Sequence, residues 1–176
     1  MSSLHLCQLH LPRFTNFFSI LLLLEYLLLN KNFWQGTIPD VFQAYTALDY
    51  FDISNNLVGG TIPKSLFQIP TLRIAYLSNC TLNGTIPPDY SNPPQLRDLF
   101  LDGNPISGTV PPIPAGSLKQ LNELLLQRTK LTGTMPASVC NLRTNAFLDN
   151  LFADCGGPKP AIECSFPDCC TRCFAS

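Results

Sequence analysis

Residues able to do chemistry are few in this chain, and their placement limits them further. Its two histidines, His5 and His10, stand near the N-terminus outside any regular pattern, so neither a Ser-His-Asp nor a Cys-His arrangement can be assembled on the patterned part. No HExxH, P-loop or GxGxxG motif occurs. Asp49, Asp52, Asp98, Asp102 and Glu123 fall in strand-like stretches, and a flanking pair of carboxylates is what glycoside hydrolysis needs. Arg73, Arg97 and Arg128 are interspersed with them, and such mixed signs describe a solvated surface. The chain is read as non-enzymatic, with no cofactor and no metal site.

The other reactive residues are cysteines. Cys7 and Cys80 stand alone, while Cys140, Cys155, Cys164, Cys169, Cys170 and Cys173 fall within the last 37 residues. A dense, even-numbered terminal cluster implies disulfides and hence an oxidising compartment, which places the protein at the cell surface or outside the cell. Six cysteines allow fifteen pairings, and the spacing does not choose among them. The Cys169-Cys170-Thr171-Arg172-Cys173 run lacks the two spaced C-x-x-C pairs of a four-cysteine zinc site. Asn79-Cys80-Thr81 and Asn83-Gly84-Thr85 are glycosylation acceptors at Asn79 and Asn83, which agrees with secretion.

Composition excludes two partner classes. A net charge of −1 with 11 Lys and Arg gives no basic face for nucleic acid. The apolar stretch Phe17 to Leu29 is interrupted by Glu25 and is shorter than the roughly 20 clean residues of a membrane span. Membrane association is therefore expected only if the chain is part of a larger receptor. The same stretch follows Arg13 as in a signal peptide but has no A-x-A-like cleavage site after it.

What must position these residues is a repeat. Gly36-Thr37-Ile38-Pro39, Gly60-Thr61-Ile62-Pro63, Gly84-Thr85-Ile86-Pro87, Gly108-Thr109-Val110-Pro111 and Gly133-Thr134-Met135-Pro136 recur at intervals of 24, 24, 24 and 25. Before each lies one apolar frame: Leu24, Leu27, Leu29; Leu48, Phe51, Ile53; Leu72, Ala75, Leu77; Leu96, Leu99, Leu101; Leu121, Leu124, Leu126. An L-x-L pair puts two side chains on the same strand face, and stacking identical coils buries them against their neighbours.

These motifs resemble the plant-type extracellular leucine-rich repeat, LxxLxLxxNxLxGxIP, over Leu24 to about Val139. The resemblance implies that the column Asn32, Asn56, Cys80, Asn104, Thr129 turns the chain inward and satisfies buried backbone groups. Cys80 is then a buried reduced thiol, and Ala75 and Thr129 mark looser packing. The cysteine-rich tail resembles the caps of such proteins, whereas the usual N-terminal cysteine pair is missing. The fold expected is an α/β repeat, largely β and irregular. It is a right-handed solenoid of five or so coils with a parallel concave sheet, built as residues 1–20 (irregular, a targeting segment or an eroded repeat), 21–139 (solenoid) and 140–176 (disulfide-bonded cap).

Side chains beside the L-x-L leucines point onto the concave face, which solenoids use for binding. The ligand-binding residues expected there are Tyr50, Asp52, Arg73, Tyr76, Arg97, Asp98, Phe100, Glu123 and Arg128, since tyrosine with arginine is the composition of binding hot spots. The partner is a protein, peptide or oligosaccharide, bound in a receptor-like or enzyme-inhibitor-like manner. A structural matrix role is the alternative, and ice binding through Thr37, Thr61, Thr85, Thr109 and Thr134 a remote one.

Overall fold

The computed structural model describes residues 3–5, 23–164 and 169–175. The remaining parts of the 1–20 segment, with Cys7, His10 and the region of the candidate targeting stretch before Leu23, lie outside the described residues.

The fold is a right-handed leucine-rich-repeat solenoid. Eight strands form one parallel sheet in chain order: β1 (Ser3–His5), β2 (Tyr26–Leu28), β3 (Tyr50–Asp52), β4 (Ile74–Tyr76), β5 (Asp98–Phe100), β6 (Glu123–Leu125), β7 (Asn150–Gly156) and β8 (Arg172–Ala175). Register is kept across the coils: Leu27, Phe51, Ala75, Leu99, Leu124 and Leu151 lie opposite one another. All six are buried, so the alternation read from L-x-L is the one that fills the core. Ala75, where looser packing is expected, is fully buried, with the larger Phe51 as its register neighbour.

The sheet is longer than the period predicts at both ends. Ser3–His5 lies in the segment expected to be irregular, yet it pairs in parallel with β2, with Leu4 opposite Leu27. At the other end the region expected to be only a cap contributes β7 and β8 to the same sheet. Its disulfides join Cys140 to Cys169, Cys155 to Cys173 and Cys164 to Cys170. The Sγ atoms of Cys155, Cys164 and Cys170 lie within 4.8 Å of one another, but each is consumed in a disulfide and none is a thiolate ligand.

The inward-turning column works by hydrogen bonding. Asn56 Nδ2 donates to the carbonyls of Leu29 (3.0 Å) and Ile53 (2.8 Å), while its Oδ1 accepts the Trp34 N–H at 3.0 Å. Asn104 repeats this with Leu77, Leu101 and the Leu82 N–H. Each amide thus stitches its own coil to the one before. Cys80 is a buried free thiol whose Sγ donates to Ile53 O at 3.3 Å. The Thr129 hydroxyl bonds within its own coil, to Leu126 O and the Leu131 N–H, and Asp154 of the next coil accepts the Arg128 and Thr129 N–H groups at 2.8 and 2.9 Å.

The Gly-Thr pair is reciprocal between coils. Gly60 has φ +75°, and a Cβ there would stand 2.7 Å from Thr37 Cγ2 of the preceding coil. Gly84 meets Thr61 in the same way, at 2.9 Å. The threonine methyls therefore seat on the next glycine, which gives this column a packing role. Pro63, Pro87 and Pro136 are each the extended residue that caps a short helical turn, with φ −69°, −66° and −60°.

Candidate functional site

The concave face is made by the two columns that flank the buried one. The first runs Tyr26, Tyr50, Ile74, Asp98, Glu123, Asn150, and the second runs Leu28, Asp52, Tyr76, Phe100, Leu125, Phe152. Four aromatic rings join across them. Tyr26 lies 6.2 Å from Tyr50, Tyr50 meets Tyr76 edge to face at 5.4 Å, and Tyr76 stacks on Phe100 at 4.3 Å with 18° between the planes. All four are half-buried, so a continuous aromatic strip faces outward across four adjacent strands.

The expected site residues divide into three groups. Tyr50, Tyr76, Phe100 and Glu123 lie on this face, half-buried, with Glu123 Oε1 accepting a hydrogen bond from Asn150 Nδ2 at 3.0 Å. Arg73, Arg97 and Arg128 are exposed at its margins. Arg73 is engaged by Asp49 one coil earlier. Arg128 sits beyond β6 in a left-handed turn (φ 56°) and donates to Asp102 Oδ2 at 2.8 Å, an oxygen pair that also receives the Ser78 hydroxyl.

Asp52 and Asp98 depart from the expectation of solvated carboxylates, being only 5% and 7% exposed. Alternation puts them on the concave side, yet both are buried there. Asp52 Oδ1 accepts the Ser54 N–H at 2.9 Å. Asp98 Oδ1 is buried with no hydrogen-bond partner. Burial raises the pKa of both, opposed at Asp98 by Arg97 and reinforced by Glu123, and opposed at Asp52 by the Ser54 hydrogen bonds and Lys31. Burial also pushes Tyr50 up to about 12, with Tyr76, Asp52 and Asp98 adding to it.

Because the folded pKa of Asp98 exceeds its unfolded value, folding takes up a proton there. The resulting stabilisation is complete below about pH 3.9, the unfolded value, and is lost as pH rises through the folded one. At pH 7 the native chain therefore keeps a buried charge at a cost. Asp98→Asn is expected to raise unfolding stability at pH 7 by about 1 kcal/mol, with the advantage shrinking toward pH 4, as read by urea denaturation across pH. A variant less stable than the parent at pH 7 would mean that the carboxylate has a partner in solution.

Tyr26, inside the first frame and in the same column as Tyr50, starts the aromatic strip although it is not among the expected ligand-binding residues. At the far end Arg172 lies over Phe174 and Phe152, at 5.0 and 5.9 Å from the ring centroids, in spacing too irregular for the 24-residue period to reveal. Both sequon asparagines are exposed: Asn79 in a left-handed turn (φ 52°), donating to Asn55 Oδ1 at 3.4 Å, and Asn83 at the end of the short strand Thr81–Asn83. Among the described residues no helix is long and apolar enough to cross a membrane.

The Leucine Rich Repeat family model matches residues 71–93 and 95–116. No curated protein matches the chain by sequence. Among solved structures, that of a Pollen Receptor Kinase 3 is 30% identical over 81% of this chain and 68% of its own, with a TM-score of 0.67. The BIR2 ectodomain from Arabidopsis thaliana is 31% identical over 64% of this chain and 59% of its own, with a TM-score of 0.58. The PEPR1–AtPEP1 structure is 30% identical over 76% of this chain, with a TM-score of 0.58, and the chain spans 21% of its length. With the repeat frame, the inward-turning asparagines and these likenesses in agreement, the chain belongs to the plant-type leucine-rich-repeat family.

Proposed function

We propose that the concave sheet is the ligand-binding face of a non-catalytic, extracellular recognition module, and that its ligand is an extended peptide. The observation that carries this is the aromatic strip Tyr26–Tyr50–Tyr76–Phe100, held by strands whose backbone is already fixed. Ordered aromatics give large contact area at small entropic cost, and an outward-facing run of them has no packing task to perform. Neighbours of the same fold include the plant peptide hormone receptor RGFR1 in complex with RGF2 and the PEPR1–AtPEP1 structure, which supports a peptide over an oligosaccharide. In this reading residues 21–139 present the face, 140–176 close the solenoid, and glycans at Asn83 and Asn79 stand off the concave side.

Tyr76→Ala and Phe100→Ala test the surface. Each is expected to weaken binding of a peptide ligand at least ten-fold with little change in melting temperature, because both rings lie outside the core. Unchanged affinity in both variants refutes the assignment, and a wall oligosaccharide bound in place of peptides replaces the ligand class while keeping the face.

A further inference from the structure

Resting on the reading of the concave sheet as the binding face, we propose that the ligand places a cationic group, an arginine or lysine side chain, against the rings of Tyr50, Tyr76 and Phe100 and onto the carboxylate of Asp98. Three independent features meet at this point. The first is the unmet acceptor: Asp98 Oδ1 is buried with no donor, although its strand places it on the ligand side of the sheet. A guest that brings an N–H donor removes that deficit, and charge-assisted hydrogen bonds are the strong ones.

The second is the local charge. Asp52, Asp98 and Glu123 surround the ring cluster, while Arg97 is the cation that acts on it. Arg73 is occupied by Asp49, and Arg128 by Asp102. Three carboxylates against Arg97 and, at Asp52, Lys31 leave this patch net acidic in a chain whose overall charge is only −1. The third is the rings themselves, whose faces attract cations, most of all when desolvated. The same column carries such a pairing made by the chain itself. Phe152 continues the line of Tyr76 and Phe100, and Arg172, its register partner, lies over it.

The test uses the full oxidised chain on an array of randomised octapeptides, followed by isothermal titration with the strongest binder. Binders enriched in arginine or lysine are expected. Replacing that residue by neutral, isosteric citrulline should weaken binding about ten-fold, and the replacement should have little further effect once Asp98→Asn is present. Asp89→Asn, in the turn on the opposite side of the coil, serves as the charge control and should leave the citrulline effect intact. Binders lost with Tyr76→Ala but indifferent to citrulline and to Asp98→Asn overturn the cation inference while leaving the concave reading standing. Binders indifferent to Tyr76→Ala overturn both, and an array without binders overturns the inference as well.

Discussion

Asn104→Ala is expected to lower the unfolding free energy by about 3–5 kcal/mol, a large fraction of what holds a domain of this size together. Asn104 is 2% exposed, and its amide serves two coils at once. Nδ2 donates to Leu77 O at 2.8 Å and Leu101 O at 3.0 Å, while Oδ1 accepts the Leu82 N–H at 3.1 Å. Alanine leaves all three backbone groups buried and unmet, at about 1–3 kcal/mol each before relaxation. Cys80 holds the same position one coil earlier but provides only a thiol donor, at 3.3 Å from Ile53 O. Cys80→Ala should therefore cost about 1 kcal/mol, since a weak donor and little volume are lost. Urea denaturation of both variants decides the matter, and equal losses would show that these positions act by filling space and not by hydrogen bonding.

That contrast bears on what the sequence could reveal. Periodicity exposes whatever each coil does identically, so the buried frame from Leu24 to Leu126 and the concave columns were legible from residue type and spacing alone. It is blind to what one coil does for a different one. Asp52 and Asp98 read as surface carboxylates because strand alternation places them there, and their burial is a property of the stacked coils that spacing within one coil does not carry. Arg73 and Arg128 read as ligand contacts, yet their charges are engaged by Asp49 and Asp102, 24 and 26 residues away in sequence. The Gly-Thr repeat was visible as a motif, but its cause, a threonine methyl against the next coil's glycine, exists only once the coils are stacked. The disulfide pairing lay beyond reach for a related reason: it is set by how β8 returns to pair with β7, outside the repeat.

The same nearest-neighbour logic makes the cap separable from the coils. Cys140 and Cys169 are both buried, and their disulfide closes 29 residues, against 6 for Cys164–Cys170. Chain-entropy arguments give roughly 3.6 kcal/mol for a loop of that length and roughly 2.2 for the shorter one. The longer bridge also ties the start of the cap, at the end of the helical turn Ala137–Cys140, to the segment leading into β8. Cys140→Ala/Cys169→Ala should therefore loosen the cap first, at the turn around Cys140 and the segment leading into β8, while Cys155–Cys173 still tethers β8 to β7 and coils further along the solenoid keep their own contacts. In hydrogen exchange, protection is expected to fall over residues 142–175 and to persist over 48–101. Uniform loss along the chain would mean that the solenoid unfolds as one unit, and no loss would mean that the two remaining bridges suffice. Asn104→Ala is the complementary case, because it breaks a stitch in the middle and must loosen the coils on both sides. Together the two variants measure how far a defect travels along the stack, and thus whether the concave face stays rigid when an end is opened.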